Sequence, residues 1–165
     1  MATLTKLESK VAEVLGLAMA AQDSTRLVRG MLSSEHEGLS KKLEQAREEA
    51  RETQKRCTAL ASSFKGKKTA ILEKAREVKA EATEMREAYL GGEDDPLDGF
   101  EFLTMAEAGE VGHWAIVGKL NERAGNADLR KLAEWALPIQ QRHLQEVLDG
   151  SLKLAAEEDP AEEEE

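Results

Sequence analysis

The sequence predicts an all-α protein, a helical bundle built from two antiparallel hairpins. Three observations lead there. Ala, Leu, Glu, Lys and Arg dominate the 165 residues, while aromatic residues make up only 4% and prolines number three, a composition that favours helix over strand. Apolar residues recur at steps of three and four along almost the whole chain, the period of one helical face. The breaks between these stripes carry Ser, Gly, Asn, Asp or Pro, the residues that start and stop helices. The length suits one domain, with 1–156 forming the bundle and 157–165 a disordered acidic tail.

The first helix is expected over Thr3 to Leu32, with Leu4, Leu7, Val11, Val14, Ala18, Gln22, Thr25, Val28 and Leu32 on one face. Ser33 and Ser34 offer an N-cap, and Glu37 stands three residues after Ser34, a capping-box spacing. The second helix follows to about Ser62, with Leu39, Leu43, Ala46, Ala50, Thr53, Cys57 and Leu60 facing in. So short a link makes the two antiparallel neighbours. A further helix runs from Thr69 to Leu90 on a thin stripe of Ile71, Ala75, Val78, Ala82, Met85 and Tyr89. Gly91-Gly92 ends it, and Asp94-Asp95-Pro96 starts the next element. The last two long helices span about Pro96 to Ala124 and Asp128 to Leu154, joined by Gly125 and Asn126. Pro138 falls inside the final helix and should kink it, freeing the carbonyl of Glu134. Two antiparallel pairs joined by one long crossover follow the ferritin-like plan. Here an additional helix lies in the crossover between the second and third bundle helices.

Charge and composition narrow the function classes. The net charge is −10, and Glu157, Glu158, Asp159 and Glu162 to Glu165 supply seven of the negatives; such a run reads as a solvated end. Lys41 to Glu87 holds 13 Lys or Arg against 9 Glu, alternating at helical spacing as a salt-bridged exterior does. Lys65-Gly66-Lys67-Lys68 is the one basic cluster and lacks interleaved aromatics beyond Phe64, so no nucleic-acid binding is expected. The apolar patch Val11 to Ala21 is interrupted by Glu13 and is too short to span a bilayer. It continues the helical pattern of its flanks with no evident cleavage site, so cytoplasmic residence is the reading. Cys57 is the single cysteine, which rules out an intrachain disulfide and reads as a small buried apolar residue.

Chemistry-bearing residues concentrate in the last two helices. Glu110-x-x-His113 and Gln140-x-x-His143 lie on their apolar stripes at mirror positions about the turn. The inner faces read Leu103, Ala106, Glu110, His113, Val117, Leu120 and Ala124 against Leu129, Leu132, Ala133, Ala136, Gln140, His143, Leu144 and Val147. Counting from Asn126, His113 stands 13 residues back and Gln140 14 forward, Glu110 16 back and His143 17 forward. With both helices rising about 1.5 Å per residue, Glu110, His113, Gln140 and His143 are expected to form one buried cluster. Neutral imidazole and carboxylate are ordinary ligands of iron, manganese or zinc, so these four are the candidate metal residues. A polar layer that only fixes helix register accounts for them equally. Di-iron bundles use a Glu from each of two helices and a Glu-x-x-His from each of the other two. Here Gln140 replaces one Glu, and the first hairpin shows no matching Glu or Glu-x-x-His. No catalytic residue is assigned, and an enzyme is not the expectation. His36, at the start of the second helix, is expected to be exposed. Trp114 and Trp135 read as packing or interface groups. Gly109, Gly112 and Gly118 weaken their helix by about 1 kcal/mol each relative to Ala, which suggests a close helix approach.

From Lys65 onward the chain resembles the YciF-like family of ferritin-like bacterial stress proteins. The resemblance rests on Gly66-Lys67-Lys68, the charged helix after it, Ala108 to Ile116 (AGEVGHWAI), and the Gly125-Asn126 turn into Leu129-x-x-Leu132. It covers roughly 90 residues, and the first hairpin only by pattern. It implies a four-helix bundle with a helical crossover, a homodimer and a stress-linked role. His113 matches the family's histidine. The carboxylates that the family keeps beside it and in the last helix are here Ala115 and Pro138-Ile139-Gln140. The resulting expectation is a non-catalytic, stress-associated bundle with a degenerate site, holding at most a weak or single metal ion. An amphipathic scaffold or granule-coat protein is the alternative, and a di-iron oxidase the third reading.

Overall fold

The computed structural model describes residues 2–164; Met1 and Glu165, the last residue of the acidic run, lie outside them. Among the described residues the chain forms five α-helices, one short 3-10 turn and no strand. The helices are α1 (Lys6–Arg29), α2 (Glu37–Ala61), α3 (Lys68–Leu90), α4 (Pro96–Ala124) and α5 (Ala127–Glu157).

Local chemistry sets the ends. Thr5 and Glu8 form a capping box at the start of α1, satisfying two otherwise orphaned amides. The expected box at Ser34 and Glu37 is absent: Ser34 enters a 3-10 turn, and α2 begins at Glu37 without a side-chain cap. Asp95 caps α4 by accepting from the Leu97 amide at 2.8 Å, with Pro96 in the first turn, where its missing N–H costs nothing. Gly91 and Gly125 end α3 and α4 in the left-handed conformation, which glycine adopts without a Cβ clash. Asn126 caps α5, accepting from the Leu129 amide at 3.0 Å. The Asn121 side chain also clamps this turn through the Asn126 carbonyl at 2.8 Å and amide at 3.2 Å. Pro138 sits on the exposed side of an α5 that runs on to Glu157.

The packing order follows from cross-helix contacts. Arg29 bonds Ser40 and Glu44, and Gln22 bonds Gln54, so α1 and α2 are antiparallel. The pairs Thr104–Ser151 and Glu107–Gln140 set α4 antiparallel to α5. α1 also packs on α4, and α2 on α5, whereas α1–α5 and α2–α4 make no close backbone approach among the described residues. α3 lies along α1, tied at its start by Lys67 to Glu8 and at its middle by Lys79 to Asp23. Gly16 is required there, because a Cβ at this position would come within 2.5 Å of the Ala75 carbonyl oxygen.

Two apolar clusters fill the interior. One gathers Val11, Leu15, Cys57, Ile71, Trp114, Val117, Leu129 and Ala136 at the end carrying the α4–α5 turn. The other gathers Val28, Leu39, Leu43, Phe100, Leu103, Val147 and Leu154 at the opposite end. Cys57 is fully buried in the first, and burial pushes its thiol up to about 12. Among the described residues no helix is long and apolar enough to cross a membrane.

A buried polar layer between the two clusters

The buried face of α4 reads Phe100, Leu103, Glu107, Glu110, Trp114, Val117 and Asn121. Facing it, α5 buries Leu132, Ala133, Ala136, Gln140, His143 and Val147. Where the two apolar clusters part, Glu107, Glu110, Gln140 and His143 meet, each between 2% and 5% exposed. The Gln140 amide donates to Glu107 Oε2 at 2.9 Å, and Glu110 lies against both Glu107 and Gln140. The His143 ring spans the bundle: Nε2 is 3.2 Å from Glu49 Oε1 on α2, and Nδ1 is 3.8 Å from Glu107 Oε2 on α4. Arg142 covers the outside of the layer, pairing with Glu49 and, at 3.5 Å, with Glu146.

Three carboxylates around one imidazole require compensation, because an unpaired buried charge is costly. Burial alone disfavours the charged form of His143, but the hydrogen bonds and charges of Glu107 and Glu49 outweigh it and raise its pKa above 6.5. Glu110 is pushed well above 4.5, first by burial and then by the charge of neighbouring Glu107. Both shifts favour the protonated forms, an imidazolium between Glu49 and Glu107 and a protonated Glu110 beside Glu107. Arg142 then answers the remaining charge on Glu49. The layer is balanced by these protons together with Arg142.

The structure brings together three of the four candidate metal residues, Glu110, Gln140 and His143. His113 stands apart. Its Nδ1–H donates to the Gly109 carbonyl at 2.7 Å, its Nε2 is 3.4 Å from Glu13 on α1, and its side chain is 37% exposed. The reason is helical phase. Successive residues turn by about 100°, so once Trp114 takes the interior, His113 falls to the edge of the face. Trp114 is 1% exposed and is a core residue. His36 is also corrected: only 13% of its side chain is exposed, and its Nε2 meets Glu157 at 2.7 Å. Gly109, Gly112 and Gly118 make no close helix contact either, since a Cβ at any of them would meet nothing within 4 Å.

Glu107 and Glu49 are the residues missing from the sequence-based set. Glu107 is found by taking Phe100 and Trp114 as the markers of the inner face. Glu49 carries a subtler signal. Glu44, Glu48 and Glu52 each have Arg or Lys three residues on, whereas Glu49 is followed at those positions by Glu52 and Thr53.

A metal ion does not fit the layer in this arrangement. Both nitrogens of His143 face carboxylates, and the Gln140 amide group occupies a lone pair of Glu107. Among the described residues no three His, Cys, Asp or Glu side chains form a group that could hold an ion. No protein-family model matches this chain, and no curated protein matches it.

Proposed function

We propose that this chain is a ferritin-like, non-catalytic bundle protein whose metal layer is replaced by a proton-balanced one. The observation that carries the reading is His143, held between Glu49 of α2 and Glu107 of α4 where the two hairpins meet. The antiparallel order α1–α2–α5–α4, with α3 as the helical crossover, supports the ferritin-like part. The stress-associated role and the homodimer come from the resemblance to the YciF-like family. A divalent ion enters such a layer only by displacing protons from His143 and Glu110, which lowers its affinity at neutral pH. Binding is therefore weak and limited to one ion, with iron, manganese and zinc the candidates.

Metal analysis tests this reading. Protein purified without chelator is expected to carry no stoichiometric ion. Added Zn2+ or Mn2+ should reach at most one per chain and be lost in His143→Ala. Two tightly held ions, or one retained by the His113→Ala/His143→Ala double variant, would overturn it. The scaffold reading draws on a different observation, the exposure of Met85, Tyr89, Met105, Ile116 and Leu152. It would be favoured if the protein bound apolar surfaces and failed to form a compact dimer in sedimentation.

A further inference from the structure

A groove of about 240 Å3 opens between α1, α3 and α4 and ends on the inner side of α4. Its walls are Leu17, Ala20, Leu103 and Ala106. Its mouth carries Met85 and Met105, which are 70% and 52% exposed. Glu107 and Glu110, at most 5% exposed, are among the most buried of the lining residues. No lysine or arginine lines it among the described residues. Drug-sized sites run to about 300–1,000 Å3, so this one suits a short chain or a single ring. Methionine thioethers at the mouth adapt to varied apolar shapes. A carboxylate pair reached through apolar walls favours a hydrogen-bond donor with positive charge, which takes the place of the proton on Glu110 as that proton leaves to solvent, and repels an anion.

We propose that this groove binds a small apolar amine, with its body between Met85, Met105 and Ala106 and its ammonium against the Glu107–Glu110 pair. The groove reaches these carboxylates from the α1–α3 side, away from Glu49 and Arg142. Glu110 is shared with the proposed weak metal site, so chelator-treated protein keeps the two readings apart. Gly109 lies at the rim, exposed, and a side chain there would meet no atom within 4 Å of its Cβ. Gly109→Phe thus covers the opening without disturbing the core.

Calorimetric titration of chelator-treated protein with hexylamine, 1-hexanol and hexanoate at pH 7 tests the assignment. Hexylamine should bind about tenfold more tightly than hexanol, the margin of a charge-assisted hydrogen bond, and hexanoate should not bind. Glu110→Gln should keep hexanol binding and lose most of the preference for the amine. Gly109→Phe, with helical content unchanged by circular dichroism, should weaken both ligands about tenfold. Hexanoate binding as tightly as hexylamine would overturn the proposal. So would absent hexylamine binding, an unaltered preference in Glu110→Gln, or full affinity in Gly109→Phe.

Discussion

The two hairpins reach the middle of the bundle with opposite chemistry. α4–α5 delivers Glu107, Glu110, Gln140 and His143, all buried. At the same level α1–α2 offers Ala20, Ala21, Ala46 and Ala50, with Glu49 its one inward carboxylate. A symmetric metal layer needs charged ligands from both pairs, so that one ion is shared between them. Here one hairpin carries nearly all the polar groups, and protons on His143 and Glu110 do the neutralising. Polar residues in a bundle core thus need a balanced set of charges, which a metal supplies in one arrangement and a histidine in another.

Substitutions at the layer can break or sharpen that contrast. The largest effect is expected from His143→Ala, which leaves Glu107 without its cation. Removing one partner of a buried pair costs about 3–5 kcal/mol, and because Glu49 keeps Arg142 the lower end applies. Urea denaturation at pH 6 measures it. Gln140→Glu restores the Glu-x-x-His pattern but adds another carboxylate beside Glu107. It should destabilise the apoprotein by about 2 kcal/mol and make its melting temperature rise more on adding Zn2+ than that of the wild type.

Glu110→Gln should act in the opposite sense at high pH. Glu110 has a raised pKa in the folded chain, so its favourable state is fully present below 4.5 and lost as pH rises through the folded value. The variant should match the wild type near pH 4 and exceed it by about 1 kcal/mol at pH 8. His143, also raised, adds stability below 6.5 that fades as pH climbs through its folded pKa. Wild-type stability should therefore decline from pH 5 to 8, and the His143→Ala/Glu110→Gln double variant should flatten that slope. The smallest effect is at the surface. Gly112→Ala places a methyl in open space on α4 and should gain about 0.5–1 kcal/mol in thermal or urea melts.

Much of the fold was legible because periodicity and punctuation agree along the chain. Pro96 and Ala124 bound α4 as expected, and α3 ends at Leu90 as expected and starts one residue before the expected Thr69. The site was harder to read, and for a definite reason. On α4, small and polar residues interleave so densely that two adjacent stripes look almost equally apolar. The stripe through Ala106, His113 and Leu120 competes with that through Glu107, Trp114 and Asn121. The second buries the tryptophan, and that gain in apolar area decides the phase. Glu49 was hidden for another reason, since in a helix so rich in charge only the absent cation three or four residues on sets it apart. The same phase error explains the glycines. Gly109, Gly112 and Gly118 face open space, whereas Gly16, Gly99 and Gly150 sit where neighbouring atoms leave no room for a Cβ.

The claim beneath this account is that His143 is an imidazolium held between Glu49 and Glu107. A proton–carbon NMR titration of its ring, assigned with His143→Ala, measures this directly. The account predicts a midpoint above 6.5 that falls when Glu49 or Glu107 is replaced by Gln. A midpoint at or below 6.5, indifferent to both substitutions, would contradict it.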